Sequence, residues 1–250
     1  MAGRPIKPRS EFALIQLLPN MLTIASISAG LTAIRFGVQG NPVYAVQLIL
    51  IACVLDGIDG RVARLLGADS KMGAELDSLA DFLNFGVAPP LVIYFWALQD
   101  MRSAAWISVL VFAVCCVVRL ARFNVSTKSE EVGESSAYFV GVPAPAGALL
   151  VLLPMYLSFA FPELKVLPGY FLVTYMVVIG LLLISRIPTW SFKTTTVSRE
   201  NVKFFLVGFA FVAAAVLTFA WITLIVLCIT YVLVVLWGLR RFKHETTQGE

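Results

Sequence analysis

Histidine is almost missing from this chain of 250 residues: His244 stands alone in the charged C-terminal tail, where it reads as a solvated residue. The four cysteines, Cys53, Cys115, Cys116 and Cys228, show no CxxC spacing and all fall inside apolar stretches. A Cys/His zinc centre is therefore excluded, and the cysteines read as core thiols rather than disulfide partners. Charge is scarce too. Asp, Glu, Lys and Arg make up 14% of the residues, where a soluble domain carries roughly a quarter. Hydrophobic residues reach 59% and the mean hydropathy is +0.87, which places the chain in a bilayer. There is no internal repeat and no low-complexity segment, so one domain is expected, with membrane lipids around it and no nucleic-acid partner.

What is present is a series of apolar stretches, each near the roughly 20 residues that a spanning helix needs. Eight are read from the sequence, at 19–38, 42–64, 79–98, 103–123, 143–161, 168–186, 203–220 and 222–240. The last two come from one uncharged run of 36 residues, 204–239. As a single helix it would be about 54 Å long, too much for one crossing of a ~30 Å core. It is therefore split around Phe219, Ala220 and Trp221 into a tight hairpin, with a seven-span reading as the alternative. With both termini in the cytoplasm, 16 of the 19 basic residues fall on the inner side, leaving Arg35, Arg102 and Lys165 outside, as the positive-inside rule expects. Some of those inner charges would equally serve a site. Residues 10–18, stopped by Pro19, read as a short interfacial helix or a disordered lead-in. No small-residue cleavage site follows, so no signal peptide is expected to be removed. The polar stretch 126–136 reads as a mobile loop on the inner face.

Within this apolar background four aspartates crowd one segment. Asp56, Asp59, Gly60, Ala63 and Arg64 follow an i, i+3, i+4, i+7, i+8 pattern, which is one face of a helix. Gly73, Asp77, Asp81 and Asn84 share a face of the next. Acids at membrane depth are costly and mark function more often than a solvated loop does. Asp69 and Glu75 fall off both faces and read as solvated. Oxygen-only ligands without His or Cys favour magnesium or manganese, with calcium a further option. Paired metals suit a displacement at phosphorus. Gly60 and Ala63 would let a diphosphate approach the helix backbone, and Arg64 is suited to pairing with phosphate oxygens. Gly73 either relieves helix crowding or admits a ligand. Asn20 is a helix cap or a nucleotide contact. Arg119 and Arg122 are headgroup anchors or polar site residues, and Asn124 is given a polar role. Pro143 and Pro145 shape the start of the fifth span, and Pro188 ends the sixth.

The spacing D-x-x-D-G-x-x-A-R-x8-G-x3-D-x3-D, filled here by Asp56, Asp59, Gly60, Ala63, Arg64, Gly73, Asp77 and Asp81, resembles the signature of the CDP-alcohol phosphotransferase family at every fixed position. The resemblance implies that the four aspartates bind two divalent cations, Mg or Mn, and that Asp81 is also the general base. It implies that Gly60, Ala63, Arg64 and Gly73 contact the CDP moiety, joined by Asn20, Thr23 and Ser70. Residues 19–23, 119–124, 139–145 and 185–193 extend it over roughly 15–195, toward the branch that uses L-serine as acceptor of the phosphatidyl group of CDP-diacylglycerol. Arg119, Arg122 and Asn124 are then the candidate acceptor contacts. Glycerol 3-phosphate, an inositol phosphate or choline would be alternative acceptors, and a divalent-cation transporter is the alternative from a different class. The implied architecture is an all-α membrane bundle. It comprises an N-terminal interfacial segment (1–18), a six-span core (19–200) and a two-helix hairpin with a basic tail (201–250). The implied setting is the bacterial inner membrane, with the site on the cytoplasmic side. Small residues along several spans are compatible with a homodimer like those of other family members.

Overall fold

The computed structural model of the protein describes residues 17–68, 70–130, 138–163, 167–185, 188–190 and 202–247. The expected interfacial helix and most of the 185–203 connection lie outside them. Among the described residues ten α-helices and one short ribbon are formed: α1 (Leu18–Val38), α2 (Pro42–Leu66), α3 (Lys71–Asp81), α4 (Ala88–Ala97), α5 (Arg102–Glu130), β1 (Tyr138–Val140), α6 (Ala144–Val151), α7 (Leu153–Ala160), α8 (Gly169–Ile184), β2 (Pro188–Trp190), α9 (Val202–Thr218) and α10 (Ala220–Thr247). Among the described residues five stretches are long and apolar enough to cross a membrane: Leu18–Val38, Pro42–Leu66, Lys71–Ala97, Gln99–Val125 and Ala220–Gly238. Aliphatic side chains such as Ile24, Leu31, Ile51, Val54, Val114 and Val118 point outward from these helices. That outward apolar surface suits lipid rather than water, since helices satisfy their own backbone groups in a bilayer.

α1 and α2 form the most extensive helix pair. The buried stripe of α1 is small throughout: Thr23, Ser26, Gly30, Ala33 and Gly37. Small residues let backbones approach closely where apolar burial gives no drive between helices. A Cβ on Gly37 would lie 3.3 Å from Val92 Cγ2, and one on Gly30 would overlap Asn84 Oδ1. α1 starts at Leu18 with Pro19 in its first turn, a position where the missing N–H costs nothing. Asn20 is thus inside the helix, and the cap role considered for it is corrected.

The turn between α2 and α3 is built by two residues. Gly67 takes a left-handed conformation (φ 56°) and its N–H caps the end of α2, while Ala68 N–H reaches back to the Ala63 carbonyl. This is a glycine stop that satisfies the last carbonyls. Ser70 then caps α3, its Oγ accepting from Gly73 N–H at 3.0 Å. The third apolar stretch therefore begins at Lys71, not 79, because its polar first turns lowered the hydropathy but not the helix propensity. From Phe82 to Val87 the same helix widens into a π-helical turn before continuing as α4.

Other boundaries shift for comparable reasons. α5 runs on to Glu130, so the first part of the segment read as a loop is helical. Its Lys and Glu are good helix formers in water even where they end an apolar run. The fifth span is broken into α6 and α7 next to Pro154. The uncharged run breaks at Phe219, as the length argument requires. α10 packs on α7, where Trp221 lies edge-on to Phe159 (4.9 Å) and stacks on Tyr156 (6.3 Å). One feature departs from an all-α bundle. β1 and β2 pair antiparallel, with Tyr138 opposite Trp190 and Val140 opposite Pro188. Three-residue strands are too short to leave a period-two signal in sequence. All four cysteines are free thiols, three of them buried.

Candidate active site

The site forms where α2 and α3 meet the N-terminal turns of α1. Because the connection from Leu66 to Lys71 is so short, the two acidic faces fold onto one another. Oxygens of Asp56, Asp59 and Asp77 lie within 4.8 Å of each other. Asp81, one turn beyond Asp77, stands against Asp56. Asp56 Oδ1 is buried without any hydrogen-bond partner. Like charges at this spacing repel strongly in a low-dielectric setting. A divalent cation is what such a set accommodates, and an orphaned carboxylate oxygen fits a metal ligand.

Asp59 is fixed more tightly than its neighbours. It is 2% exposed. Thr23 Oγ lies 2.6 Å from its Oδ2 and donates to it, and the Gly60 N–H lies 2.6 Å from its Oδ1. The Thr23 hydroxyl also reaches the Pro19 carbonyl at 3.1 Å. With one proton it serves one acceptor at a time, and the shorter, charge-assisted contact to Asp59 is the stronger. Thr23, expected to touch CDP, thus also holds one of the acids. Behind it, Ser26 Oγ donates to the Thr23 carbonyl (2.8 Å) and Asn84 Nδ2 donates to Ser26 Oγ (3.2 Å). Ser26 and Asn84 are both 0% exposed. Ser26 was missed in the sequence. Its signal was a polar residue seven positions before Ala33 on the small stripe of α1, to be matched with an asparagine on the acidic face of the third apolar helix.

The phosphate-side candidates Gly60 and Arg64 are exposed, with Ala63 and Gly73 half-buried. A Cβ placed on Gly60 would meet nothing within 4 Å, so no part of the fold itself requires glycine there. Arg64 is exposed and donates from Nε to the Gly60 carbonyl (3.1 Å). Ala63 lies on the same face, half-buried. A Cβ on Gly73 would lie 3.1 Å from both Asn20 Oδ1 and Ser70 Oγ. Asn20, Ser70 and Gly73 are therefore together at the start of α3, and close approach of α1 is one reason for the glycine.

The acceptor-side candidates sit on α5. Arg119 Nε donates to the Val142 carbonyl at 2.7 Å, and its guanidinium acts electrostatically on Asp81. Arg122 donates to the carbonyls of Ile184 (3.2 Å) and Ser185 (3.4 Å), clamping the end of α8. Gly141 (φ 93°) fits under the same end of α8, where a Cβ would be 2.8 Å from each of the Leu183 and Ser185 carbonyl oxygens. Asn124 Nδ2 donates to Ser78 Oγ at 3.0 Å and so ties α5 to the acidic helix.

These features define a polytopic membrane protein with an acidic, cation-accepting site between its second and third apolar helices. Comparison with known proteins makes the class specific. The chain belongs to the CDP-alcohol phosphatidyltransferase family, whose model matches residues 16–185. It is 42% identical over 227 residues to a CDP-diacylglycerol–serine O-phosphatidyltransferase of Mycobacterium leprae, covering 90% of this chain and 75% of that one. The protein of the same name from Mycobacterium tuberculosis is 40% identical, with 90% and 79% covered. That of Helicobacter pylori is 34% identical over 209 residues, with 84% and 83% covered.

Proposed function

We propose that this protein transfers the phosphatidyl group of CDP-diacylglycerol to the hydroxyl of L-serine, giving phosphatidylserine and CMP. The observation behind this reading is the convergence of all four signature aspartates between α2 and α3. The relatives that cover most of the chain carry the serine enzyme's name. Asp56, Asp59, Asp77 and Asp81 would hold two divalent cations, Mg or Mn. When bound, the cations supply charge neutralisation at the diphosphate and polarise the phosphorus.

The chain's own residues do the rest. Gly60 and Ala63 leave room for the diphosphate against α2, and Arg64 offers its guanidinium to the departing phosphate. Asn20, Thr23, Ser70 and Gly73 frame the nucleotide side, Thr23 chiefly by holding Asp59. Arg119, Arg122 and Asn124 frame the acceptor side. Asp81 accepts the proton of the serine hydroxyl as the new O–P bond forms. The bond from phosphorus to the CMP oxygen breaks, and CMP leaves with the electron pair. Positioning and fixed charge supply most of the rate in such transfers.

The same proposal includes eight spans, with both termini and the site on the cytoplasmic side of a bacterial inner membrane, and a homodimeric assembly. Placement of 16 of 19 basic residues on that side supports the topology. It also divides the chain into a lead-in at 1–18, a core at 19–200 and an added hairpin at 201–250. An arginine beside the acids speaks against a cation transporter, because it would oppose cation passage. The test is product identity. Proteoliposomes containing the protein, CDP-diacylglycerol, Mn²⁺ and isotopically labelled L-serine should yield a labelled phosphatidylserine by mass spectrometry. Label that stays in free serine while CMP accumulates would point to another acceptor.

A further inference from the structure

Asn84 is a buried amide in an apolar helix, three residues past Asp81. Its Oδ1 has no hydrogen-bond partner. That oxygen occupies the space of a missing side chain on α1, where a Cβ on Gly30 would overlap it. An unpartnered amide oxygen in a dry interior is costly, so the other end of the amide has to account for the residue. Nδ2 donates to Ser26 Oγ at 3.2 Å. The Ser26 proton goes to the Thr23 carbonyl at 2.8 Å, so Ser26 can only accept from Asn84, and this fixes the orientation of the amide. The surrounding turn, Phe82–Val87, is π-helical. Pro89 and Pro90 follow it and have no N–H to offer the Phe85 and Gly86 carbonyls. Widened turns of this kind are frequent at functional positions.

One turn of α1 therefore grips both helices that carry the acids. Through Thr23 Oγ it holds Asp59 of α2 at 2.6 Å. Through Ser26, three residues on, it holds Asn84 in the continuous helix that carries Asp77 and Asp81. α1 also packs against α2, α3 and the π turn. We propose that Asn84 and Ser26 are positioning residues: with Thr23 they lock α1 to both acid-bearing helices and so fix Asp56 and Asp59 relative to Asp77 and Asp81. This rests on the reading of the four aspartates as holders of divalent cations. Carboxylates gathered this closely repel one another, and a tie between their helices keeps the acid pairs in register. A chain of neutral hydrogen-bonding groups does so without placing a cationic side chain where it would compete with the metal. Ser28, on the same helix, is exposed and donates to the Ile24 carbonyl at 2.9 Å. It has the same chemistry outside the tie.

The experiment uses full-length protein in detergent–lipid micelles without substrate. Mn²⁺ binding is followed by electron paramagnetic resonance, and the melting temperature is taken on the metal-free protein. Ser26→Ala removes one hydroxyl and adds no volume, and Asn84→Ala removes the amide. Each is expected to weaken Mn²⁺ binding about tenfold, the low end for groups that orient the ligands of a metal. The double variant should lose no more than the larger single loss, because both substitutions cut one tie. Ser28→Ala should bind Mn²⁺ as wild type does. In CMP release, the half-saturating Mn²⁺ should rise by the same factor in Ser26→Ala, while the KM for CDP-diacylglycerol at saturating Mn²⁺ stays at its wild-type value. Wild-type Mn²⁺ affinity in Ser26→Ala overturns the proposal whatever the melting temperature does, since a fall in stability alone marks a purely structural network. An equal loss in Ser28→Ala, or losses that multiply in the double variant, overturn it as well. Absence of Mn²⁺ binding by the wild-type protein overturns the cation reading beneath it.

Discussion

Replacing Thr23 with valine separates two roles that the sequence alone does not distinguish. The substitution keeps the β-branched shape of a side chain that is 4% exposed, so packing on α1 should be retained. It removes the O–H that lies 2.6 Å from Asp59 Oδ2. A hydrogen bond to a charged acceptor is worth about 1.5–3 kcal/mol, which corresponds to roughly a 10- to 100-fold change in an equilibrium constant. Loss of a group that orients a metal ligand has the same typical size. Asp59 would retain the Gly60 N–H on its other oxygen, so it is loosened rather than released. The expected outcome is a rise of about tenfold or somewhat more in the Mn²⁺ concentration for half-maximal CMP release. Thr23→Ser, which restores the donor, should return close to wild type. The assay is CMP release titrated with Mn²⁺ at saturating CDP-diacylglycerol and serine, and separately with CDP-diacylglycerol at saturating metal. If Thr23→Val shifts only the CDP-diacylglycerol KM and leaves the metal dependence alone, the residue contacts nucleotide and the argument for its support of Asp59 is wrong.

Three further predictions follow from neighbouring geometry. Gly60→Leu meets no protein atom near its Cβ, so its thermal unfolding in detergent should stay near wild type while CDP-diacylglycerol turnover is lost; a normal KM for that lipid would remove Gly60 from the pocket. Gly30→Ala would drive a methyl into Asn84 Oδ1, and overpacking of this kind costs about 1–3 kcal/mol; an unchanged melting temperature would show that Asn84 moves freely. Asp81→Asn should fold and still bind CDP-diacylglycerol but lose nearly all turnover, because an amide cannot accept the serine proton; near-normal turnover would move the base elsewhere.

How far the sequence foretells this arrangement depends on the physical signal behind each part. The helix faces of Asp56, Asp59, Gly60 and of Asp77, Asp81 were readable because acids are rare in apolar spans and their spacing follows the helical period. Their convergence follows from the short turn at Gly67 and Ser70. The break at Phe219 followed from length alone, since no span is 36 residues long. What the pattern concealed is long-range or weak in periodicity. The start of the third span at Lys71 was hidden by its polar turns, and the continuation of α5 to Glu130 by the end of its apolar run. The β1–β2 pairing joins residues some 50 positions apart through three-residue strands, which leaves no local trace. Thr23 was legible as a site residue but not as the partner of Asp59, because nothing in one sequence reports which residue of α1 faces which of α2.

The most direct measurement is CMP release by the purified protein from CDP-diacylglycerol, with L-serine, glycerol 3-phosphate, an inositol phosphate and choline supplied one at a time, and with Mg²⁺ or Mn²⁺ present or chelated. Release that requires L-serine, stops on chelation and returns when the cation is restored is the predicted result. Release with another alcohol alone would contradict the acceptor assignment, and serine-dependent release that survives full chelation would contradict the metal-holding role of the four aspartates.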